Sequence, residues 1–200
     1  LNKMHIDSDG VVVNQTDTES VETVNYNGNK IIWINSLSRG LSKSRNLGLK
    51  YCTSDIILLA DNDEVFNENY KKQIVLEFEQ NKKADLLCFN IQSIGNMRER
   101  FLNNKIKRLN FRNIFRYGSA RIAFKLNFLK TNKIIFNEYF GAGTENGGGE
   151  DSLFLNEFLE KRGACYANPL YIAKIDDSKS SWFKGYNDDY FVNLGKFVYV

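Results

Sequence analysis

Two pairs of carboxylates stand where this sequence could do chemistry: Asp61 and Asp63, either side of Asn62, and the adjacent Glu150 and Asp151. Asp61-Asn62-Asp63 follows directly on Ile56-Ile57-Leu58-Leu59-Ala60. Both acids therefore emerge at the carboxyl end of an apolar strand, where open α/β sheets place their ligands. Hard oxygen ligands there suit Mg²⁺ or Mn²⁺, which take one or two carboxylates and complete the shell with phosphate oxygens and water. A calcium loop of the EF-hand type is excluded, because Val65 and Phe66 stand where further oxygen ligands and the approach to the turn glycine are needed. Glu150 and Asp151 follow Gly147-Gly148-Gly149 and open a helical pattern, which sets them against the positive end of a helix dipole and favours ionised carboxylate. A base that takes a proton from a hydroxyl needs that charge. The glycines are not a phosphate loop, since no Gly-Lys-Ser/Thr follows. A third segment, Ser38 to Asn46, gathers Arg39, Lys43 and Arg45 at a helix start, an arrangement that can hold a diphosphate. Taken singly, each of these is also what a polar turn, an acid-capped helix or a loop–helix junction looks like.

The elements that must position these groups alternate in type. Strands are expected at Val11–Val13, Ile31–Ile34, Asp55–Ala60, Asp85–Asn90 and near Arg121–Lys125. Ser42 is expected to cap a helix through Lys50. Asn67 is expected to cap one over Glu68–Gln80, with Tyr70, Ile74, Val75 and Phe78 on one face. A further helix starts near Glu150, carries Leu153, Phe154, Glu157 and Phe158, and stops at Gly163. Such alternation is the signature of βαβ units around a mainly parallel sheet. Between Met97 and Lys133 the texture is basic and aromatic, with Arg98, Arg100, Lys105, Lys107, Arg108, Arg112, Arg116 and Arg121 against the single acid Glu99. That run suits anionic groups, or equally a solvated face whose basic heads lie over packed aromatics.

Composition bounds the rest. At 200 residues and 42% hydrophobic content, one compact domain is the expectation. A net charge of +3 is too mild for a nucleic-acid binder. Three scattered cysteines (Cys52, Cys88 and Cys165) and one histidine, His5, argue for a reducing compartment and against a zinc site. No apolar run approaches the roughly 20 residues needed to span a bilayer. The chain opens at Leu1 and reaches Gly10-Val11-Val12-Val13 almost at once, which suggests a piece whose first elements lie upstream.

The run Arg39-Gly40-Leu41-Ser42-Lys43-Ser44-Arg45-Asn46-Leu47-Gly48, then Ile56–Ala60 with Asp61-Asn62-Asp63, resembles the nucleotide half of family 2 glycosyltransferases of the GT-A fold. Gly149-Glu150-Asp151-Ser152-Leu153-Phe154 resembles their acceptor-side Glu-Asp motif, and the likeness extends over roughly Gly10 to Gly185. It implies a GT-A-like α/β nucleotide-binding sandwich, lacking its first strand, with a nucleotide-sugar half at 10–96 and an acceptor half at 97–200. By the same resemblance Asp63 would hold the divalent cation. Asp61, with Asn62 and Arg45, would bind the nucleotide sugar, Asp151 would be the base, and Glu150 would orient acceptor or base. Asn14 and Gln15 stand where the family usually has Asp-Asp for the nucleoside. Ser180 to Tyr186 resembles a site-closing stretch, with Trp182 stacking on a sugar and Lys184 beside it. The implied reaction is inverting transfer from a UDP-sugar to a saccharide or polyprenyl-linked acceptor, in bacterial surface-polysaccharide assembly. It implies a cytoplasmic protein with peripheral contact at the inner membrane face. A sugar-phosphate nucleotidyltransferase and a non-catalytic carbohydrate-binding relative are the alternatives. The first would show a glycine-rich phosphate loop after its first strand, and the second would have no use for Asp63 and Asp151.

Overall fold

The computed structural model describes residues 1–94 and 101–176, together with Val192 and Gly195. Arg98, Arg100, Trp182 and Lys184 lie outside the described residues.

Two sheets make up the framework. The first joins β1 (Gly10–Gln15), β2 (Ser20–Tyr26) and β3 (Asn29–Ser36) in the order β1-β3-β2, with β1 parallel and β2 antiparallel to β3. β2 and β3 form a hairpin about Asn27-Gly28, whose φ values of 51° and 83° are those of the two-residue turn that matches strand twist. The second sheet runs β4 (Ile56–Leu58), β8 (Ile122–Lys125), β6 (Leu86–Ser93), β9 (Cys165–Ile175), β5 (Glu64–Phe66), with β7 (Lys107–Arg108) also paired to β9. The expectation of a mainly parallel sheet needs correction in its pairing. β1–β3 and β6–β9 are parallel, and the other five pairings are antiparallel. The short strands β5, β7 and β8 enter from loops, so nothing forces the right-handed helical crossover that keeps successive strands parallel.

Both faces of the second sheet are covered, and alternate residues serve opposite sides. Leu86 and Cys88 face a cluster with Ile122, Phe124, Phe154, Leu155 and Phe158, while Leu87, Phe89 and Ile91 face one with Tyr70, Ile74 and Phe78. Burial on both sides is why 86–91 reads as a nearly unbroken apolar run. Helix α1 (Leu41–Tyr51) lies where the sheets meet. A Cβ on its Gly48 would stand 3.4 Å from Val13 of β1, and its Leu49 belongs to the core of the second sheet. Helix α2 (Tyr70–Gln80) covers one face; α3 (Leu126–Asn132) and α4 (Glu150–Glu160) cover the other.

Several boundaries differ from expectation. Gly40, with φ 114°, precedes α1, and Ser42 lies inside the helix with its hydroxyl donated to the Phe140 carbonyl rather than to a helix end. Asn69 in the left-handed region starts α2, and Asn67 instead donates its amide to the Tyr171 carbonyl. Val75 is exposed on the outer side of that helix. In β9, Pro169 is accommodated because the register with β6 shifts between Cys88 and Asn90, and the Asn90 side-chain amide donates to the Pro169 carbonyl. A bulge is where a strand can tolerate a residue without an N–H.

Candidate active site

The turn after β4 closes on itself. The Asp61 N–H donates to Glu64 Oε1 at 2.9 Å, and the Glu64 N–H returns to the Asp61 carbonyl at 3.3 Å. Glu64 is fully buried, and its Oε2 has no hydrogen-bond partner among the described residues. Burial pushes its carboxyl up from 4.5 to about 9, and the charges of Asp61 and Asp63 add to that against the pull of the Asp61 N–H and of Arg45. Glu64 is therefore a neutral acid at physiological pH, and it pins a turn whose Asp63 is exposed. The unfolded chain releases this proton above about pH 4.5 and the folded chain keeps it to about pH 9, so the group's contribution to stability declines as pH rises through that window. Each pH unit there costs at most about 1.4 kcal/mol. Glu64→Gln, which keeps the acceptor and cannot ionise, is expected to flatten this dependence. Calorimetric Tm at pH 5, 7 and 9 should show the wild type losing ground to the variant as pH rises.

α1 delivers a cation to this turn and, beyond it, to α4. Arg45 Nη2 is 3.3 Å from Asp61 Oδ1; its Nη1 is 2.5 Å from Asp151 Oδ1 and 3.8 Å from Glu150 Oε1. The Arg45 side chain is only 10% exposed. Beneath the guanidinium lies the Phe136 ring, 5.1 Å from its carbon, and Phe136 stacks on core Phe154 at 4.0 Å. The next helical residue fixes that ring. Asn46 donates its side-chain amide to the Phe136 carbonyl and accepts the Phe136 N–H. Core packing thus aims one arginine at three carboxylates drawn from two distant segments of the chain.

Asp151 is held on both oxygens, with Arg45 on Oδ1 and the Ser119 N–H on Oδ2 at 2.8 Å. A carboxylate offers about four lone-pair sites, so capacity remains for a hydroxyl. The side chain of Asp61 is similarly held, since the Ser119 hydroxyl donates to its Oδ2 at 2.9 Å. Glu150 is buried. Burial raises its carboxyl pKa and the Asp151 charge adds to this, opposed by a backbone N–H and Arg45. α4 begins after Gly148 and Gly149, both in the left-handed region that favours glycine. The preceding loop is tied to α1 where the Leu41 N–H donates to the Ala142 carbonyl and Ser42 donates to Phe140. This start of α1, expected to offer backbone donors to a diphosphate, has one of them engaged by the loop.

Sequence reasoning named Asp61, Asn62, Asp63, Arg45, Glu150 and Asp151, and the fold gathers Asp61, Arg45, Glu150 and Asp151 into one cluster, with Asn62 and Asp63 exposed at its margin. Asn14 bonds Asn35, while Gln15 donates to the Ser44 hydroxyl and accepts the Gly40 N–H, which puts it at the start of α1 and outside the carboxylate cluster. Ser119, Phe136 and Glu64 were not anticipated. Among the described residues no group of three His, Cys, Asp or Glu side chains is arranged to hold a metal ion. The acids at the turn are the exposed Asp63 carboxylate and Asp61 two residues before it, an open arrangement. That fits Mg²⁺ or Mn²⁺, ions whose remaining positions are filled by phosphate and water, and does not fit a closed structural metal cage. No helix among the described residues is long and apolar enough to cross a membrane.

Residues 7–145 match the profile described as glycosyl transferase family 2. No curated protein matches the chain. Among solved structures, residues 1–349 of S. aureus TarS superpose with a TM-score of 0.69 at 16% identity, covering 96% of this chain and 55% of that one. The same TarS region in complex with UDP-GlcNAc gives 0.67 at 16% identity, covering 86% and 50%. A longer TarS structure gives 0.63 at 17%, covering 84% and 29%. The chain thus spans about half the length of TarS 1–349, and at these identities the likeness is one of fold.

Proposed function

Because the chain belongs to glycosyl transferase family 2, we propose that its carboxylate cluster is the active site of an inverting transferase moving a sugar from a nucleotide diphosphate to an acceptor hydroxyl. One observation carries this reading. The strand-end acid Asp61 and the helix-start acid Asp151 converge on the same guanidinium, so a donor-holding group and a proton-accepting group stand side by side.

In this mechanism Asp151 takes the proton of the acceptor hydroxyl as its oxygen bonds to the anomeric carbon. The bond from that carbon to the diphosphate oxygen breaks on the opposite face, and its electron pair leaves with the diphosphate. Asp61 orients the donor, and Glu150 orients the acceptor. Asp63 would hold a divalent cation, Mn²⁺ or Mg²⁺, which when bound counters the charge gathering on the departing diphosphate. A uridine diphosphate sugar is the favoured donor, supported by the UDP-GlcNAc complex of a protein of the same fold. The acceptor, on this reading, is a saccharide or polyprenyl-linked saccharide of a surface polysaccharide, handled at the cytoplasmic face of the membrane. Exposed Phe101, Ile106, Phe111 and Phe115, interspersed with Lys105, Lys107, Arg112 and Arg116, support contact with an anionic lipid surface.

Incubation of the full-length protein with Mn²⁺ or Mg²⁺ and a panel of nucleotide sugars tests the reading. Slow release of UDP from one member, suppressed by a chelator, is expected. Absence of nucleotide release and of donor binding across the panel would overturn it.

A further inference from the structure

We propose that Ser119 is the positioning residue that locks the donor-side acid to the base. Its backbone N–H donates to Asp151 Oδ2 at 2.8 Å and its hydroxyl donates to Asp61 Oδ2 at 2.9 Å, so one residue spans both carboxylates. Ser119 is 4% exposed, and among the described residues those two acids are what its polar hydrogens reach. Arg45 closes the other side. It contacts Oδ1 of the same two carboxylates, so Asp61 and Asp151 are bridged twice, by a guanidinium on one flank and by a serine on the other. The bridge stands on rigid structure. Ser119 opens the short 3-10 turn that leads into β8, and β8 pairs with β4, the strand that ends just before Asp61, and with β6 in the sheet centre. A Cβ at Gly118, immediately before it, would make only ordinary contact with Asp151 Oδ2, at 3.5 Å.

The two bonds of Ser119 separate by chemistry. The N–H toward Asp151 survives any substitution but proline, whereas the hydroxyl toward Asp61 is removed by alanine. Ser119→Ala thus frees one oxygen of the donor-side acid, which keeps only Arg45 on the other, and leaves the base held on both. Resting on the reading that Asp61 lies at the donor, this implies that the variant loses donor affinity while its acceptor KM and fold are kept. Hydrogen bonds to a charged group have effects of this order, and about a tenfold weakening of UDP-sugar binding is expected.

The experiment is a double-mutant cycle on the full-length protein, with UDP-GlcNAc as probe in the presence of Mn²⁺ and Kd read by calorimetry. Ser119→Ala should raise Kd about tenfold in the wild-type background and less than twofold in the Asp61→Ala background, with acceptor KM within twofold of wild type. Ser119→Thr, which restores the hydroxyl, should return Kd toward the wild-type value. A Ser119→Ala Kd within twofold of wild type, or an equal loss in both backgrounds, would overturn the proposal while leaving the transferase reading standing. Failure of the wild type itself to bind any uridine diphosphate sugar would remove the donor-site reading and this inference with it.

Discussion

Asp151→Asn is expected to lower sugar transfer by about a thousandfold, the range a positioned general base contributes. The substitution removes the site that takes the acceptor proton and leaves the donor turn at Asp61–Asp63 in place, so donor Kd should stay within about threefold of wild type. It is not sterically silent, however. The aspartate accepts from Arg45 on one oxygen and from the Ser119 N–H on the other, whereas an asparagine offers a single acceptor and turns its amide hydrogens toward whichever donor remains. Leaving one buried donor unpaired costs about 1–3 kcal/mol, which for a chain of this size is a Tm decrease of roughly 2–12 °C. Single-turnover transfer with calorimetry on the same samples separates the two effects. A variant of normal Tm and full activity would remove Asp151 from the mechanism.

Arg45→Met should be the most destabilising single change at the site. The guanidinium is nearly buried and faces Asp61, Glu150 and Asp151, of which Asp61 is 38% exposed at its side chain and the other two are largely covered. Removing one partner of a buried ion pair costs about 3–5 kcal/mol; exposure of Asp61 places the expected loss near the lower end, at about 3 kcal/mol. Packing over Phe136 is kept by methionine, so the loss reports charge rather than a cavity. Arg45→Lys keeps the charge without the planar fork that reaches two carboxylates at once, and should recover only part of the loss. Thermal unfolding at low and high salt is the measurement. Equal Tm for the arginine and methionine proteins would mean that the acids do not need this counter-charge.

Much of the framework was legible because it is written in local patterns. The apolar runs at 31–34 and 85–90, the helix expected from Ser42 through Lys50 and the one expected from near Glu150 to Gly163 announce themselves by pattern, and the structure places β3, β6, α1 and α4 there with ends that differ by a few residues. β2 went unnoticed because all but its last residue are exposed, so Ser20–Tyr26 carries no hydrophobic alternation. Its one local signal is the Asn27-Gly28 turn, which marks a hairpin to anyone weighting turn chemistry over periodicity. β9 was obscured by Pro169, tolerated only through a bulge against β6, which is a tertiary matter. The same division applies to the site. Asp61, Asp63, Glu150 and Asp151 stand out because acids at strand ends and helix starts have a local meaning. Ser119 has none, as its two partners lie 32 and 58 residues away. Likewise Arg45 reads locally as a phosphate-binding cation at a helix start, and only the fold turns it toward a carboxylate 106 residues downstream.

That turn of Arg45 toward three acids also shapes how related sequences can diverge. Positions 45, 61, 150 and 151 share one charge arrangement, with a single cation answering acids contributed by a strand end and a distant helix. Loss of the cation alone leaves three repelling acids, and loss of one acid alone leaves the cation short of a partner that fixes its direction. Viable lineages are therefore expected to change these positions together or not at all, and the four should behave in a family tree as one inherited character, though more than a hundred residues of chain separate the first from the last.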